Sequence, residues 1–565
     1  MSQRKVPSPA EDAGRAKWFW PAAGFLAVLL VMIQSREISR PFYGLHSWGK
    51  AHGAWIGRVH LKYGFGYTKG LATWAVGEPP PEPPRRYLDH PQLPSVIRGL
   101  EAHVLGTEEW VRRVLDIVRT LVSLLILLTI FRGLAGEKAA VLAGLLYVLM
   151  PLTGYFGAGI WVLPVGWLAI WAYLSATGSL GGDAEPKSWH TWVLAAAAFL
   201  AVQLGWEGVF YCMAIGLHYV ARCLFRRQWP RRRLLLVIVV APALSLALDF
   251  LVMAAGWGWD FGKIVDLFVW RSFGKDTVPF TWTDWFYRFW EFAGTNFTWP
   301  MLVLAGVYVL LPSFRRAARG RSDGRAGQRA WPYLPGMGLL LLPGACQLLI
   351  LKNALRPHQY WERPLAPVLA LAAALTLLRL HGFLKTRSRP WAHAVFGGAL
   401  AVVTVYCAIG VNHYFYIRWQ NPAKIEMLQR IREATPPDKG LLSFESFQVN
   451  ENKAKGAHYR PEIAYYLDRE IVQAQALEDI LQKAATGGFR FYLMPATYPD
   501  SRVAAYLEKL AKALSQRYRV TQIPGASGES DIVRDEMGQV KERKFLRAGM
   551  LPYLLFDLQA PAENR

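Results

Sequence analysis

The sequence is short of charge, and of negative charge above all. Only 19% of its 565 residues are charged, and 41 acidic residues stand against 64 lysines and arginines. Soluble domains carry charge on about a quarter of their residues, so a protein solvated on every side is disfavoured. The net charge of +23 would suggest nucleic acid in a soluble protein. Here the basic residues cluster between hydrophobic runs, so we expect contact with anionic membrane lipids and no nucleic-acid partner.

Cysteines are equally scarce, and internal repeats are absent. The four cysteines are Cys212, Cys223, Cys346 and Cys407, all in or beside hydrophobic runs and none in a CxxC pair. Disulfides and zinc thiolate sites are therefore disfavoured. Paired halves, as in many transporters, are also missing, which argues against a transporter.

Long hydrophobic runs are what the sequence does contain, since 53% of its residues are hydrophobic. Such runs approach the roughly 20 residues that cross a bilayer core. The first, from Trp18, has a basic start but no small-residue cleavage site, so we expect a retained anchor. Hydropathy predicts about eleven membrane-spanning helices, near 18–36, 114–132, 138–153, 158–177, 191–207, 209–223, 234–254, 299–313, 335–352, 363–380 and 392–413.

Arginine-rich connections predict the orientation in the membrane. They lie at 222–233, 314–329 and 379–390, and the positive-inside rule places them in the cytoplasm. The tail 1–17 is then cytoplasmic as well, and an odd number of spans places the C-terminus outside. We expect a multi-pass protein of the bacterial inner (cytoplasmic) membrane.

This topology divides the chain into a membrane domain, 18–413, and an outer domain, 414–565. The membrane domain carries outer loops near 37–113 and 256–298. The outer domain alternates helix and strand patterns, with strands in "GLLSF", "REIVQA", "FRFYLMP", "RVTQIP" and "YLLFDL", which predicts a small α/β domain. A helix follows Ser501, its expected N-cap. No phosphate-binding glycine loop or catalytic motif occurs there, so a structural or acceptor-docking role is expected.

The first outer loop contains "YLDHPQLPSVIRGLEAHVLG", in which Asp89, His90, Pro91 and Leu93 stand out. This element, after one hydrophobic span and a long loop, resembles the "DxHPPL" or "DHPPL" element of the GT-C glycosyltransferases. Protein O-mannosyltransferases and lipid A aminoarabinose transferases (ArnT-like proteins) are families with a similar motif, and Gln92 replaces the second proline of that motif. The resemblance implies a GT-C-like helical fold and a polyprenyl-phosphate-linked sugar as donor.

The resemblance also implies an acidic catalytic base early in the first loop. No acidic residue occurs between Glu37 and Glu78, and His46 and Ser47 occupy that region. His46, Asp89 and Glu207 are therefore the candidate bases, because histidine can act as a base and an acid at membrane depth is expensive. Two structural alternatives stay open. Asp89 could cap a helix beginning near Pro91, and Glu207 could be a solvated residue in a turn.

A polyprenyl-phosphate donor also requires cations and hydrogen-bond donors near its phosphate. The candidates in the outer segments are His90, Arg271, Lys275, Arg356, His358 and Tyr360. Arg271 could equally contact lipid headgroups, and His358 could cap a loop. The outer tryptophans are expected to form an interfacial belt rather than to stack on sugars.

A metal site is not expected. His46, His52, Asp89 and His90 are potential ligands, but His46 and His52 are not spaced to share one helical turn. No cofactor is firmly implied.

The sequence therefore predicts an inverting membrane glycosyltransferase. It would move a sugar from a polyprenyl-phosphate donor to a lipid, glycan or protein hydroxyl at the outer face. The alternative is a non-catalytic membrane protein that binds a lipid-linked glycan, which the missing early acid favours.

Overall fold

A computed structural model gives the fold of this chain. It describes residues 18–562, with gaps at 181–186, 228, 274–279, 311–332, 357, 418–421, 446, 450–457, 487, 497, 499 and 525–551. The predicted cytoplasmic tail, the whole arginine-rich connection 314–329 and Lys275 lie outside the described residues. The chain forms two compact units, which are Met1–Ile38, Asp89–Pro94 and Arg113–Tyr414 for the first, and Ser39–Leu88, Ser95–Arg112 and Phe415–Arg565 for the second.

The first unit is helical, and each of the eleven predicted spans contains a helix. These helices are Phe19–Gln34, Glu109–Ala135, Glu137–Leu149, Val162–Ala176, Ser188–Leu204, Glu207–Arg226, Arg232–Gly256, Trp299–Leu310, Tyr333–Ile350, Ala366–Lys385 and Arg389–Tyr416. Helices are the expected form because every backbone hydrogen bond is then satisfied within the segment.

Length and hydropathy identify several of these helices as membrane spans. Among the described residues, 6 helices are long and apolar enough to cross a bilayer, and a bent pair could supply one more. That pair is Trp282–Asn296 and Trp299–Leu310, with a bend of 110° between them. Three shorter apolar helices accompany them. The chain is therefore a multi-pass membrane protein, as predicted, whereas the number of eleven spans stays a prediction.

The first unit also contains short and amphipathic elements between its long helices. They are the helices Pro151–Phe156, Gly262–Phe273 and Trp282–Asn296 and the 3₁₀ turns Ser35–Glu37, Lys352–Leu355 and Gln359–Leu365. Trp282, Phe286 and Tyr287 are exposed on one of these helices, which fits a helix lying in the membrane interface.

The second unit combines the first outer loop with the C-terminal segment. The loop contributes the helix Ser47–Thr68 and a short antiparallel hairpin, β1 (Thr73–Trp74) and β2 (Arg85–Arg86). Trp55 and Trp74 stack at 6.1 Å and share a hydrophobic core with Tyr466 of the C-terminal segment. Burial of such large aromatic rings stabilises this core.

The C-terminal segment is an α/β domain, as predicted. Its strands are β3 (Gly440–Ser443), β4 (Gln448–Val449), β5 (His458–Tyr459), β6 (Ile471–Gln473), β7 (Phe489–Pro495), β8 (Tyr518–Ile523) and β9 (Tyr553–Pro561). Five of them form one sheet in the order β6-β3-β7-β9-β8. β3 is parallel to both β6 and β7, and β9 is antiparallel to both β7 and β8.

In the described part of this segment, four helices accompany the strands: Pro422–Ala434, Pro461–Leu467, Leu477–Ala485 and Ser501–Ser515. In the last helix Leu507, Leu510 and Leu514 are buried, as the apolar spacing predicts. The expected N-cap was wrong by one residue. Asp500, not Ser501, is the cap, because the Asp500 carboxylate accepts hydrogen bonds from the backbone N–H groups of Arg502 and Val503.

His60 links the helix Ser47–Thr68 to Ser95 of the helix Leu93–Leu105. Its Nδ1 lies 2.7 Å from Thr68 Oγ1 and its Nε2 lies 2.8 Å from Ser95 Oγ. The ring is fully buried and stacks on Phe65 at 4.8 Å. A Cβ atom on Gly99 would lie 2.9 Å from the ring carbon Cγ, so this close approach requires glycine.

Candidate functional site

The Asp89–His90 element lies in the first unit as a non-helical segment. Asp89 is 5% exposed, and its backbone carbonyl accepts a 2.9 Å hydrogen bond from Trp206 Nε1. The following helix begins at Leu93, four positions beyond Asp89, so the interpretation of Asp89 as its N-cap is wrong. Gln92 donates its side-chain amide to the His90 carbonyl, a bond that proline could not make.

Glu207 lies at a tight turn between two of the predicted spans. Only Gly205 and Trp206 separate the helices Ser188–Leu204 and Glu207–Arg226. A Cβ atom on Gly208 would lie 2.0 Å from the Ala201 carbonyl oxygen, so this turn cannot form with a larger residue. Glu207 is the first residue of its helix, where the helix dipole favours a carboxylate. Trp206 thus connects the Glu207 turn to Asp89.

Arg271 lies close to His90, the chain neighbour of Asp89. It lies near the end of the helix Gly262–Phe273, and its Nη2 is 3.5 Å from His90 Nε2. The guanidinium also lies 5.1 Å from the ring centre of Trp270. The Trp270 carbonyl accepts a 3.1 Å hydrogen bond from Asn353 Nδ2. This bond ties the Arg271 helix to the 3₁₀ turn that precedes His358.

His358 and Tyr360 follow that turn. Their ring centres are 5.1 Å apart, and Arg271 interacts electrostatically with both side chains. Loss of hydration and the Arg271 cation lower the pKa of His358 to about 3. His358 is therefore a neutral hydrogen-bonding group at physiological pH, rather than a second cation.

Arg356 has a different setting. It follows the 3₁₀ turn Lys352–Leu355, and both Arg356 and Lys352 interact electrostatically with Asp284. A role for Arg356 at the donor phosphate stays a prediction. So does a role for Lys275, which is outside the described residues.

Arg363 is a residue that the sequence reasoning missed. Its Nη1 donates to the Ala158 carbonyl at 2.9 Å, and its Nε donates to the Tyr360 carbonyl at 3.1 Å. Gly159 has a φ of +66°, and a Cβ atom there would lie 2.7 Å from Arg363 Nη1. The glycines of "FGAGIW" and the arginine of "WERP" were visible in the sequence, but nothing in it indicated that they meet.

A buried polar network holds the turn that carries Tyr360 and Arg363. Glu362 is fully buried, and its Oε2 accepts a 2.9 Å hydrogen bond from Asn296 Nδ2. Asn296 Oδ1 in turn accepts from the Tyr414 hydroxyl at 2.7 Å, and Nδ2 also donates to the Gln359 carbonyl. These bonds fix the turn Gln359–Leu365 against the helix ends at Asn296 and Tyr414.

His46 belongs to the second unit. It adopts a left-handed backbone, with φ of 53°, directly before the helix Ser47–Thr68, and it is buried. The neighbouring Ser47 hydroxyl donates to Glu462 Oε1 at 3.3 Å. A carboxyl group from the C-terminal domain therefore contacts the region where the resemblance implied an early acid. Burial raises the pKa of Glu462 to about 7, against the opposing effects of its hydrogen bonds, Arg460 and Lys424.

Within the first unit, Arg271 thus contacts His90 and interacts electrostatically with His358 and Tyr360. Tyr360 also interacts with Glu207. Asp89 joins this group through its chain neighbour His90 and through Trp206, the chain neighbour of Glu207. Within the described part of the chain, no three His, Cys, Asp or Glu side chains are grouped so that they could hold a metal ion.

Comparison with known proteins identifies the fold of the chain as that of GT-C membrane glycosyltransferases. ArnT from Cupriavidus metallidurans, solved bound to undecaprenyl phosphate, matches with a TM-score of 0.56 and 14% identity over 97% of this chain and 99% of its own. The oligosaccharyltransferase AglB from Archaeoglobus fulgidus, solved with an inhibitory peptide and a dolichol-phosphate, matches with a TM-score of 0.52 and 12% identity over 90% and 73%.

The mycobacterial arabinofuranosyltransferase AftD matches 97% of this chain, which covers 40% of AftD, with 15% identity and a TM-score of 0.51. No protein-family model and no curated protein sequence matches this chain. At such identities the likeness concerns the fold, while substrate and chemistry depend on the site.

Proposed function

We propose that this chain is a membrane glycosyltransferase that transfers a sugar from a polyprenyl-phosphate donor to a hydroxyl of a lipid, glycan or protein. Its site would lie at the outer face of a bacterial inner membrane, with the N-terminus in the cytoplasm and the C-terminal domain outside. The observation that carries the proposal is the contact of Arg271 with His90, one residue from Asp89, in a chain of GT-C fold.

The chemistry follows from the nature of these groups. Arg271 offers a permanent cation for the donor phosphodiester, and His90 and neutral His358 can each donate an N–H to its oxygens. A carboxylate must accept the proton of the acceptor hydroxyl as that oxygen attacks the anomeric carbon. Attack from the face opposite the phosphate inverts that centre, and the polyprenyl phosphate leaves with the bonding electron pair.

Asp89 is the base that we favour, because it adjoins the His90–Arg271 contact and Trp206 fixes its backbone. Glu207, in the same turn as Trp206, is the alternative within the first unit. His46 stays a candidate as well. The experiment is transfer by the purified protein from radiolabelled polyprenyl-phosphate sugars to membrane acceptors.

The variant Asp89→Asn separates catalysis from structure. It preserves the shape of the side chain but removes its charge, so we expect turnover to fall about 10²-fold while donor binding and expression stay close to wild type. Asp260→Asn is the matched control, because Asp260 is exposed and its ion pair with Lys263 is 3.6 Å long. Undiminished turnover in Asp89→Asn would exclude Asp89 as the base and make Glu207 and His46 the next residues to test.

A second candidate function is a receptor for lipid-linked glycans without turnover. The observation that favours it is Ser47, a side chain that cannot act as a carboxylate base, in the region where the resemblance implied the catalytic acid. Donor binding by wild type without any transfer to a broad set of membrane acceptors would support this alternative.

A further inference from the structure

A buried tyrosine hydroxyl in the first unit makes no hydrogen bond within the described residues. Tyr211 is 0% exposed, and no donor or acceptor of the described chain bonds its Oη. A buried hydroxyl without a partner costs about 1–3 kcal/mol. Phenylalanine would remove that cost without changing the shape of the side chain, so the hydroxyl requires an explanation.

The surroundings of Tyr211 hold its ring in one place. Trp167 packs edge-on against the ring at 4.8 Å between centres. On the same helix as Trp167, a Cβ atom at Gly166 would lie 2.7 Å from two atoms of the ring. The position of the hydroxyl is therefore set by packing, and it cannot rotate away to find a partner elsewhere.

The hydroxyl belongs to a group of polar side chains from three elements. Glu207 and Tyr211 lie four residues apart and so share one face of the helix Glu207–Arg226. Tyr211 interacts electrostatically with Glu207, with Arg363 and with Tyr147 of the helix Glu137–Leu149. Tyr360 interacts with Glu207 and Arg363 as well. We call Glu207, Tyr211, Tyr147, Tyr360 and Arg363 the Glu207–Arg363 cluster.

The cluster has the chemistry of a site that recognises hydroxyl groups. Arg363 uses two of its five N–H donors on the carbonyls of Ala158 and Tyr360. A carboxylate accepts hydrogen bonds from hydroxyls, whereas tyrosine and arginine donate to them. Glu207 and Arg363 carry opposite charges, so the cluster has no net charge to attract a charged ligand.

We propose that the Glu207–Arg363 cluster binds the sugar ring of the donor and selects an uncharged sugar with free hydroxyls, one of which accepts or donates a hydrogen bond at Tyr211 Oη. This inference rests on the proposed function, because the Arg271–His90 contact supplies the neighbouring phosphate site. A charged sugar, either an aminosugar or a uronic acid, would add a charge that the opposite charges of Glu207 and Arg363 do not compensate.

The test is direct binding to the full-length protein in lipid nanodiscs. The probes are farnesyl phosphate alone and farnesyl phosphate joined to mannose, glucose, arabinose, a 4-amino-4-deoxypentose or glucuronic acid. We expect at least one neutral sugar conjugate to bind wild type more tightly than farnesyl phosphate and than either charged conjugate. Tyr211→Phe should weaken that conjugate about 3- to 10-fold, the worth of one hydrogen bond, and leave farnesyl phosphate unchanged.

Tyr173→Phe is the matched control. Tyr173 is equally buried in the first unit, but its hydroxyl is bonded to His218 Nδ1 at 2.8 Å. We expect Tyr173→Phe to lower the melting temperature and to leave every affinity unchanged. Tyr211→Phe should show the reverse, with a melting temperature equal to or above that of wild type. Glu207→Gln should shift the preference towards the glucuronic acid conjugate, because it removes the negative charge that compensates the positive charge of Arg363.

Three results would overturn the inference. The first is equal affinity of Tyr211→Phe and wild type for every sugar conjugate, and the second is a preference of wild type for a charged sugar. The third is that no neutral sugar conjugate binds more tightly than farnesyl phosphate. The last result would leave the proposed lipid-phosphate donor intact. A wild-type protein that does not bind farnesyl phosphate at all would instead refute the proposed donor class, and this inference with it.

Discussion

Two buried titratable groups of the second unit should give its stability opposite dependences on pH. Burial, assisted by His103 and Arg86, lowers the pKa of His60 from 6.5 to about 4. Burial raises the pKa of Glu462 from 4.5 to about 7. His60 is therefore neutral in the folded state where an unfolded histidine is charged, and Glu462 is protonated where an unfolded glutamate is charged.

The direction of each pH dependence follows from whether the folded or the unfolded chain binds more protons at that residue. The unfolded chain takes up a proton at His60 below pH 6.5, so the stability due to His60 is present above that pH and is lost towards pH 4. The folded chain holds a proton at Glu462, so the stability due to Glu462 is present below pH 4.5 and is lost as the pH rises through 7. Each shift is worth about 2 kcal/mol between pH 7 and pH 5.

Because the two contributions have similar size and opposite sign, they nearly cancel in the wild type. His60→Gln should make the second unit more stable at pH 5 relative to pH 7 than wild type is, by about 2 kcal/mol. Glu462→Gln should make it less stable at pH 5 relative to pH 7 by a similar amount. The double variant should again match the wild-type dependence, whatever constant loss of packing it carries.

Amide hydrogen exchange in the helix Ser47–Thr68 of the full-length protein measures these opening free energies, once corrected for the intrinsic exchange rate at each pH. The helix carries His60 itself and Ser47, the partner of Glu462. Parallel pH profiles for wild type and both single variants would refute the reasoning, since they would mean that neither group changes its protonation on unfolding.

Three further outcomes are expected. Gly208→Ala should prevent accumulation of folded protein, because its Cβ atom would lie 2.0 Å from the Ala201 carbonyl oxygen; normal expression and melting would contradict the tight turn. Asn296→Leu should lower the unfolding free energy by about 1–3 kcal/mol, since it removes the bond to buried Glu362; an unchanged melting curve would show that this network is not needed. In intact cells, a cysteine introduced at Trp282 should react with a membrane-impermeant thiol reagent and one at Arg226 should not; the opposite pattern would reverse the predicted orientation.

Some site residues could be found in the sequence because their signal is local. Asp89 and His90 stand in a recognisable motif, and Glu207 is an isolated acid between two apolar runs. Arg363 gave no such signal, because arginines occur at many outer loop positions and its significance depends on Gly159 and Tyr360. Tyr211 gave none either, since a tyrosine within an apolar helix is ordinary until its hydroxyl is found buried without a partner.

The functional candidates also separated in a way that the sequence did not indicate. His46 lies about 40 residues before Asp89 in the same predicted loop, yet it belongs to the second compact unit while Asp89 belongs to the first. Its neighbour Ser47 bonds to Glu462, more than 400 positions later in the chain. A loop of that length has no periodic pattern that could predict which compact unit each of its residues joins.

The sequence by itself determined the apolar helices of the first unit and the α/β pattern of the C-terminal segment. Both are local properties, since a bilayer selects apolar runs of sufficient length and alternation of side chains selects strands. The tertiary structure alone decided that Arg271 meets His90 and that Glu207, Tyr211 and Arg363 share one cluster. Contacts between distant helices depend on which residues are small enough for close approach, such as Gly159, Gly166 and Gly208, and that fit exists only once the helices have packed.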